Sequence, residues 1–277
     1  MTTDFYMTLP SNASMKMHPD NTLTHYVTEL PHRVELVGEW ECGLTEMQYS
    51  HTWYNVTEDD VWLFLEEADV TDASRRARLS CGYYDDPLTL MYHVNKGLYS
   101  LRTEKTRAQM SYSSVTQKMT LHVTENTKFT IPYHSSTTSM LGFHKKVITG
   151  TETTATSASS LVPDSRPSDS SYPFHIEAPD VVDMTQGFNT LYVYTDVVES
   201  RIVGDTLAPL LRSIPISGRH GDRVSERFTN VHYIPLLRSN FHSIEVDIRD
   251  DMGRRVPFEY GRVTVTLHFR RRKTGLF

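Results

Sequence analysis

Cysteine is nearly absent: Cys42 and Cys81 are the only two in 277 residues. Two thiols make no disulfide framework and cannot by themselves fill a structural zinc site. Excess positive charge is also missing. Lys and Arg number 28 against 34 Asp and Glu, for a formal net charge of −6. A protein whose main work is coating nucleic acid is usually basic, because phosphate neutralisation dominates that affinity. No apolar run reaches the roughly 18 residues that would mark a membrane span, so no membrane partner is expected. Met1 to Tyr6 shows no positive region leading into an apolar stretch, so no secretory signal is read and synthesis in a reducing intracellular compartment is expected. On that reading the sequons Asn12-Ala13-Ser14 and Asn55-Val56-Thr57 are chance matches.

Signatures of chemistry are scarce as well. Thirteen histidines are present, yet there is no His-Glu-x-x-His and no His-x-His pair of the kind a cupin metal site would supply. His25, His32, His51, His93, His122, His232 and His242 stand alone among strands and turns and read as surface or hydrogen-bonded structural residues. No Gly-x-Ser-x-Gly elbow and no phosphate-binding Gly-x-x-x-x-Gly-Lys loop occur. The carboxylate pairs Asp59-Asp60 and Glu66-Glu67 are adjacent in sequence, which turns their side chains apart on a strand and on a helix alike. The expectation is a protein that is not an enzyme, with no catalytic, cofactor-binding or metal residues and no cofactor.

What is there is a β pattern. Hydrophobic residues make up 38% of the chain and charged residues 22%, enough apolar material for a core. Val263, Val265, Leu267 and Phe269 alternate with Thr264, Thr266 and His268, the period of two that puts one strand face in a core. Ile244, Val246 and Ile248 repeat the pattern, and so do Leu191, Val193, Thr195 and Val197. Met119, Leu121 and Val123 mark another strand, and Phe5, Met7 and Leu9 one more. Asp250-Asp251-Met252-Gly253 reads as a tight turn, and Gly38 and Gly43 as bulges or bends in a curved sheet. From Pro87 to Leu101 the period changes. Leu88, Met91, Tyr92, Asn95, Leu98 and Tyr99 recur at spacings of three and four behind Asp85-Asp86, which predicts one short capped helix. Many strands, few helices and long connections predict an all-β sandwich, barrel or jelly roll.

Residues 149–171 are dense in Ser and Thr and poor in apolar residues, so a mobile insertion is expected there, within one domain spanning 1–277. Arg270-Arg271-Arg272-Lys273 opens a basic tail at 270–277. It reads as a solvated strand end, with nuclear import or contact to a packaged genome as the alternatives.

Three stretches, taken together, resemble a known family. They are Leu36–Met47 with His51–Val56; Gly187–Val197 with Ile202–Asp205 and Ala208–Arg212; and Ile244–Asp250 with Gly253, Val256–Gly261 and the final strand. In this order they are similar to the minor capsid (penton) proteins of Polinton/Maverick elements and adintoviruses, related to the pentons of virophages and adenoviruses. The resemblance runs from about Phe5 to Arg271 and is carried by strand and turn segments, not by catalytic motifs.

It implies a single jelly roll of two packed four-stranded antiparallel sheets. It further implies a homopentamer at the fivefold vertex of an icosahedral capsid, beside a separate double jelly-roll major capsid protein. A vertex fibre or a host receptor is a further partner it allows. The expected location is the virion vertex, after synthesis in the host-cell cytoplasm and assembly there or in the nucleus. Gly218-Arg219-His220-Gly221-Asp222 is not an Arg-Gly-Asp loop, because His220 separates Arg219 from Gly221, and receptor binding is not carried over. Subunit-contact candidates are Trp53-Tyr54, Arg201 to Arg212 and Arg219 to Arg227. A lectin-like carbohydrate-binding jelly roll is the alternative reading, and a cupin-like metalloenzyme a third.

Overall fold

The computed structural model describes residues 4–58, 62–67, 75–125, 127–130, 136–143, 147–149, 172, 174–185 and 188–272. The chain divides into two compact units, 1–53 with 188–277, and 54–187.

The first unit begins with β1 (Asp4–Pro10), β2 (His25–Glu35) and β3 (Trp40–Ser50). The second unit follows in the chain. Its strands are β4 (Trp62–Glu67), β5 (Arg75–Arg78), β6 (Ala108–Ser113), β7 (Lys118–Val123), β8 (Thr127–Thr130), β9 (Val147–Thr149) and β10 (Phe174–Glu177). Its helices are α1 (Pro87–Leu101) and α2 (Ser136–Met140). The first unit resumes with β11 (Thr190–Thr195), the short pair β12 (Arg201–Val203) and β13 (Thr206–Ala208), and β14 (Leu210–Pro215). It ends with β15 (Arg223–Arg227), β16 (Ile234–Pro235), β17 (Asn240–Arg249) and β18 (Thr264–Arg271).

In the first unit the pairing is antiparallel throughout, in two sheets ordered β1-β18-β3-β15 and β14-β11-β17-β2, with the two-residue β16 added beside β3. Taken in chain order, the first of these eight strands pairs with the eighth, the second with the seventh, the third with the sixth and the fourth with the fifth. These nested pairs are one long antiparallel ribbon rolled up so that alternate rungs fall in opposite sheets. That is a single jelly roll with two four-stranded sheets, as the family resemblance implies.

The alternating residues supply its core. Val263, Val265, Leu267, Phe269, Ile244, Val246, Ile248, Leu191 and Val193 are all buried, packed with Leu44, Met47 and Tyr49 from β3. Each such side chain contributes on the order of 1.5–3 kcal/mol on leaving water. The fully buried Tyr26 of β2 donates its hydroxyl to the Leu9 carbonyl of β1 at 3.1 Å, a polar tie from one sheet to the other. Asp250 closes the predicted turn after β17. Its carboxylate accepts from the Met252 and Arg254 amides at 2.9 and 2.8 Å, and Gly253 takes φ +75°.

Gly43 differs from its predicted role. The register shift between β18 and β3 falls at Thr266/Leu267, not at Gly43. A Cβ on Gly43 would meet Val231 Cγ1 at 2.4 Å and the His232 carbonyl at 2.8 Å. Glycine is needed there because the chain before β16 crosses the sheet face at backbone distance.

The second unit has its own core, built around Leu90, Val94, Leu98, Met110, Met119, Leu121 and Val123. Its sheets are β10-β7-β6 and β5-β4-β8-β9. α1 starts as predicted: Asp86 accepts from the Thr89 amide at 2.9 Å, and Pro87 opens the first turn, where no amide hydrogen is needed. The Asn95 side chain ties α1 to β6, accepting from the Met110 amide at 2.7 Å and donating to its carbonyl at 2.8 Å. Two sequence expectations are corrected. The described residues hold two helices, not one, because α2 carries too little apolar periodicity to be read in advance. The buried face of α1 is Leu90, Val94, Leu98 and Leu101, while Leu88, Tyr92 and Tyr99 point outward.

All eight strands of the jelly roll lie in 1–53 and 188–277. The Ser/Thr-rich stretch lies outside the described residues from 150 to 171, as does the basic tail from 273 to 277. No helix among the described residues is long and apolar enough to cross a membrane.

Candidate assembly surface

One end of the jelly roll is formed by three connections: β2 to β3, β11 to β14 (which carries the β12–β13 hairpin), and β15 to β17. Backbone bonds stitch them together. The Leu36 amide donates to the Ser239 carbonyl at 2.8 Å, Leu236 to Trp40 at 3.0 Å, Glu199 to Pro235 at 2.9 Å and Leu237 to Val197 at 2.9 Å. Hydrogen bonding ties all three connections into one platform instead of three separate loops.

The hairpin has a local cause. Gly204 takes φ +62° at the first of the two turn residues Gly204-Asp205, the conformation of a II′ turn that matches strand twist. Its register sets Ile202 opposite Leu207. The two side chains are 79% and 69% exposed, and Val37 and Leu237, on the other two connections, are 85% and 66% exposed. A two-stranded hairpin is marginally stable by itself in water, so apolar residues on one that stays exposed call for explanation.

Several charges at this end meet partners within the chain. Arg272 lies 3.7 Å from Glu39, and its amide donates to the Glu39 carbonyl at 2.9 Å. Arg270 binds Glu41 at 2.6 Å and lies 3.4 Å above the Tyr233 ring. The Arg271 guanidinium lies against Gly38, where φ is +90° and a Cβ would come within 3.2 Å of it. Arg270, Arg271 and Arg272 thus each contact their own chain at this strand end. Asp196 pairs with Arg238 and accepts from the Glu245 amide at 2.8 Å, while burial raises its carboxyl pKa above the usual value.

Of the other predicted contact segments, the one around Trp53-Tyr54, for which core and subunit contact are both open from the sequence, puts Trp53 in the core. It is 5% exposed and packs in the core against Phe188 and Phe258, with ring centroids 5.1 and 5.5 Å away. An anchor for a neighbour cannot be a side chain already enclosed. Arg201 to Arg212 contains the exposed hairpin, although Arg212 itself covers the Phe228 ring at 3.9 Å. Arg219 to Arg227 forms the loop after β14 and then β15, where Arg227 meets Glu46 at 3.3 Å.

Among the described residues, no group of three His, Cys, Asp or Glu side chains is placed to hold a metal ion. His25 pairs with Glu245 at 2.8 Å, His122 with Ser111 at 2.8 Å, and His268 with Tyr233 at 2.7 Å. The Ile202/Leu207 pair was missed by sequence reasoning, although Gly204-Asp205 between two short apolar runs is a hairpin signal.

No protein-family model matches this chain, and no curated protein matches it. Among solved structures it is similar to the crystal structure of the SeMet-labelled mavirus penton protein, at 10% identity and a TM-score of 0.49, over 97% of this chain and 99% of that one. It is also similar to a chain in the 3.5 Å cryo-EM structure of the Sputnik virophage, at 9% identity and a TM-score of 0.42, over 98% of each chain.

Proposed function

We propose that this chain is a minor capsid protein, the penton of an icosahedral shell of the Polinton/Maverick and adintovirus kind, acting by shape and not by turnover. The observation that carries the reading is where the sequence resemblance falls. Its first stretch contains most of β3, its second β11 through the start of β14, and its third the inner half of β17 with the corner after it. The resemblance therefore follows the strands of the jelly roll in chain order.

Five rolls close into a ring when one heterologous contact is repeated by a rotation of about 72°. The platform bearing Val37, Ile202, Leu207 and Leu237 is the proposed source of part of that contact, since stable interfaces bury apolar side chains over roughly 1,200–2,000 Å². In this reading the ring sits at the vertex of the virion beside a double jelly-roll major capsid protein. It is made in the host-cell cytoplasm, and shell assembly takes place there or in the nucleus.

Solution mass by light scattering, with negative-stain class averages, tests this. The expected species is about 159 kDa, five times the 31.8 kDa chain, with fivefold rings. Replacing Ile202 and Leu207 together by Glu is expected to shift that species to the single-chain mass while leaving the fold intact. A stable dimer or trimer of the unaltered protein would overturn the penton reading.

A further inference from the structure

We propose that β1 of one copy pairs edge to edge with β15 of the next copy, antiparallel, with Asp4 opposite Arg227 and Tyr6 opposite Ser225. The pairing rests on the vertex reading and names the strands through which the chain recognises a second copy of itself.

An outer strand presents a row of unpaired backbone groups, which invites pairing unless a proline, a bulge or a break blunts it. The two sheets of the jelly roll differ in this respect. In the sheet β14-β11-β17-β2 both outer strands are blunted. β14 carries a bulge between Leu210 and Arg212 and ends on Pro215, which has no amide hydrogen to offer. β2 loses its register with β17 between Glu29 and Val34, and Pro31 stands inside that break. In the sheet β1-β18-β3-β15 both outer strands are regular. β1 keeps one register with β18 over all seven residues, and β15 keeps one with β3 over all five. β1 meets proline only at its last residue, Pro10, and β15 contains none.

Which backbone groups face outward follows from the bonds at the strand ends. The Ser11 amide donates to the Val263 carbonyl at 2.8 Å, one step beyond the β1–β18 register. Alternation then turns the backbone of Phe5, Met7 and Leu9 toward β18 and that of Asp4, Tyr6 and Thr8 away from it. On β15 the Phe228 amide donates to the Thr45 carbonyl, and the His51 amide donates to the Asp222 carbonyl, both at 2.9 Å. Val224 and Glu226 therefore turn toward β3, and Arg223, Ser225 and Arg227 away from it. Among the described residues no strand lies beyond either edge, and these six outward residues are all exposed.

The two edges are matched in direction and in charge. β18 and β3 alternate between β1 and β15, so the outer strands run antiparallel to each other. A copy presented in the same sense offers its β15 to β1 with the antiparallel pattern unbroken. Using all three outward residues of each strand sets Asp4 against Arg227, Tyr6 against Ser225 and Thr8 against Arg223. The Asp4 side chain is 56% exposed and that of Arg227 is 78% exposed, so each keeps reach beyond its own-chain neighbour at 3.3 Å, His268 for Asp4 and Glu46 for Arg227. Opposite charges directly across a strand pair favour it. The edge offered differs from the edge met, so the contact is heterologous, the kind that closes rings.

Disulfide cross-linking of the full chain tests this, in a Cys81→Ser background that leaves only the buried Cys42. Thr8→Cys and Arg223→Cys put thiols at directly opposed positions, where Cα atoms lie about 5.5 Å apart, within the span of a disulfide. Co-expression of the two single variants, followed by mild oxidation, is expected to give a covalent species of twice the chain mass, and neither variant alone should do so. The variant carrying both substitutions should give a ladder of covalent multimers. Either single variant cross-linking to itself as well as the pair does would overturn the proposal, because that marks an isologous contact. Ring-sized protein that fails to cross-link would sink the edge contact and leave the vertex reading standing, whereas a single-chain mass at every concentration would remove both.

Discussion

The two units use the same ingredients at opposite ranges in sequence. In the jelly roll β1 pairs with β18, setting Asp4 against Arg270, so its outermost rung joins the two ends of the described chain. In the unit at 54–187, β6 and β7 are a hairpin around Ser114–Gln117, and α1 docks on β6 only a few residues downstream. Both bury alternating strand residues to the same degree: Val265 and Leu121 are each fully enclosed. Burial per residue is therefore not what distinguishes them. The distinction is how much chain must be ordered before a strand finds its partner, which raises the entropy of closure and slows folding of the nonlocal unit.

The largest expected effect breaks the roll alone. Val265→Asp places a carboxylate between Leu9 on β1 and Met47 on β3, with no cation at hand. It is expected to cost more than about 4 kcal/mol and abolish the roll's native near-ultraviolet circular dichroism. A native spectrum and an unchanged melting transition would remove the assignment of that strand face to the core.

A cavity on the other side sharpens the contrast. Leu98→Ala, under the buried face of α1, is expected to cost about 2–5 kcal/mol. Hydrogen exchange should show the lost protection in α1, β6 and β7, with β17 unaffected. Equal loss in β17 would mean that the two cores respond as one.

The smallest effect probes one end of one helix. Asp86→Ala removes the acceptor for the Thr89 amide and is expected to cost about 1 kcal/mol. Chemical denaturation should register this as a lower midpoint with an unchanged slope, while Asp86→Asn should recover most of it.

Legibility followed the same division between local and distant causes. The helix ends were readable because the Asp-Pro start acts within its own turn, but the helix face was not. Apolar residues lie on two sides of α1, and a helix with Leu88, Tyr92 and Tyr99 on one stripe and Leu90, Val94 and Leu98 on another does not announce which side a sheet will cover. Trp53 stayed undecided for a similar reason: an aromatic between a strand and a loop suits an interface as well as a core until Phe188 and Phe258 arrive from far along the chain. The exposed Ile202/Leu207 pair is the converse. Its turn was written in Gly204-Asp205, but that neither sheet takes the hairpin up became evident only in three dimensions.

Alone, then, the amino-acid order was enough to establish an all-β chain, the faces of β11, β17 and β18, the cap of α1 and the Asp250–Gly253 turn. Each depends on sterics and periodicity within a few residues. The folded molecule settled the nested pairing that makes a jelly roll, the separation of 54–187 as a second core and the enclosure of Trp53. These depend on which distant segments meet, and alternation is equally compatible with many pairings until the cost of closing each loop is weighed against the surface it buries.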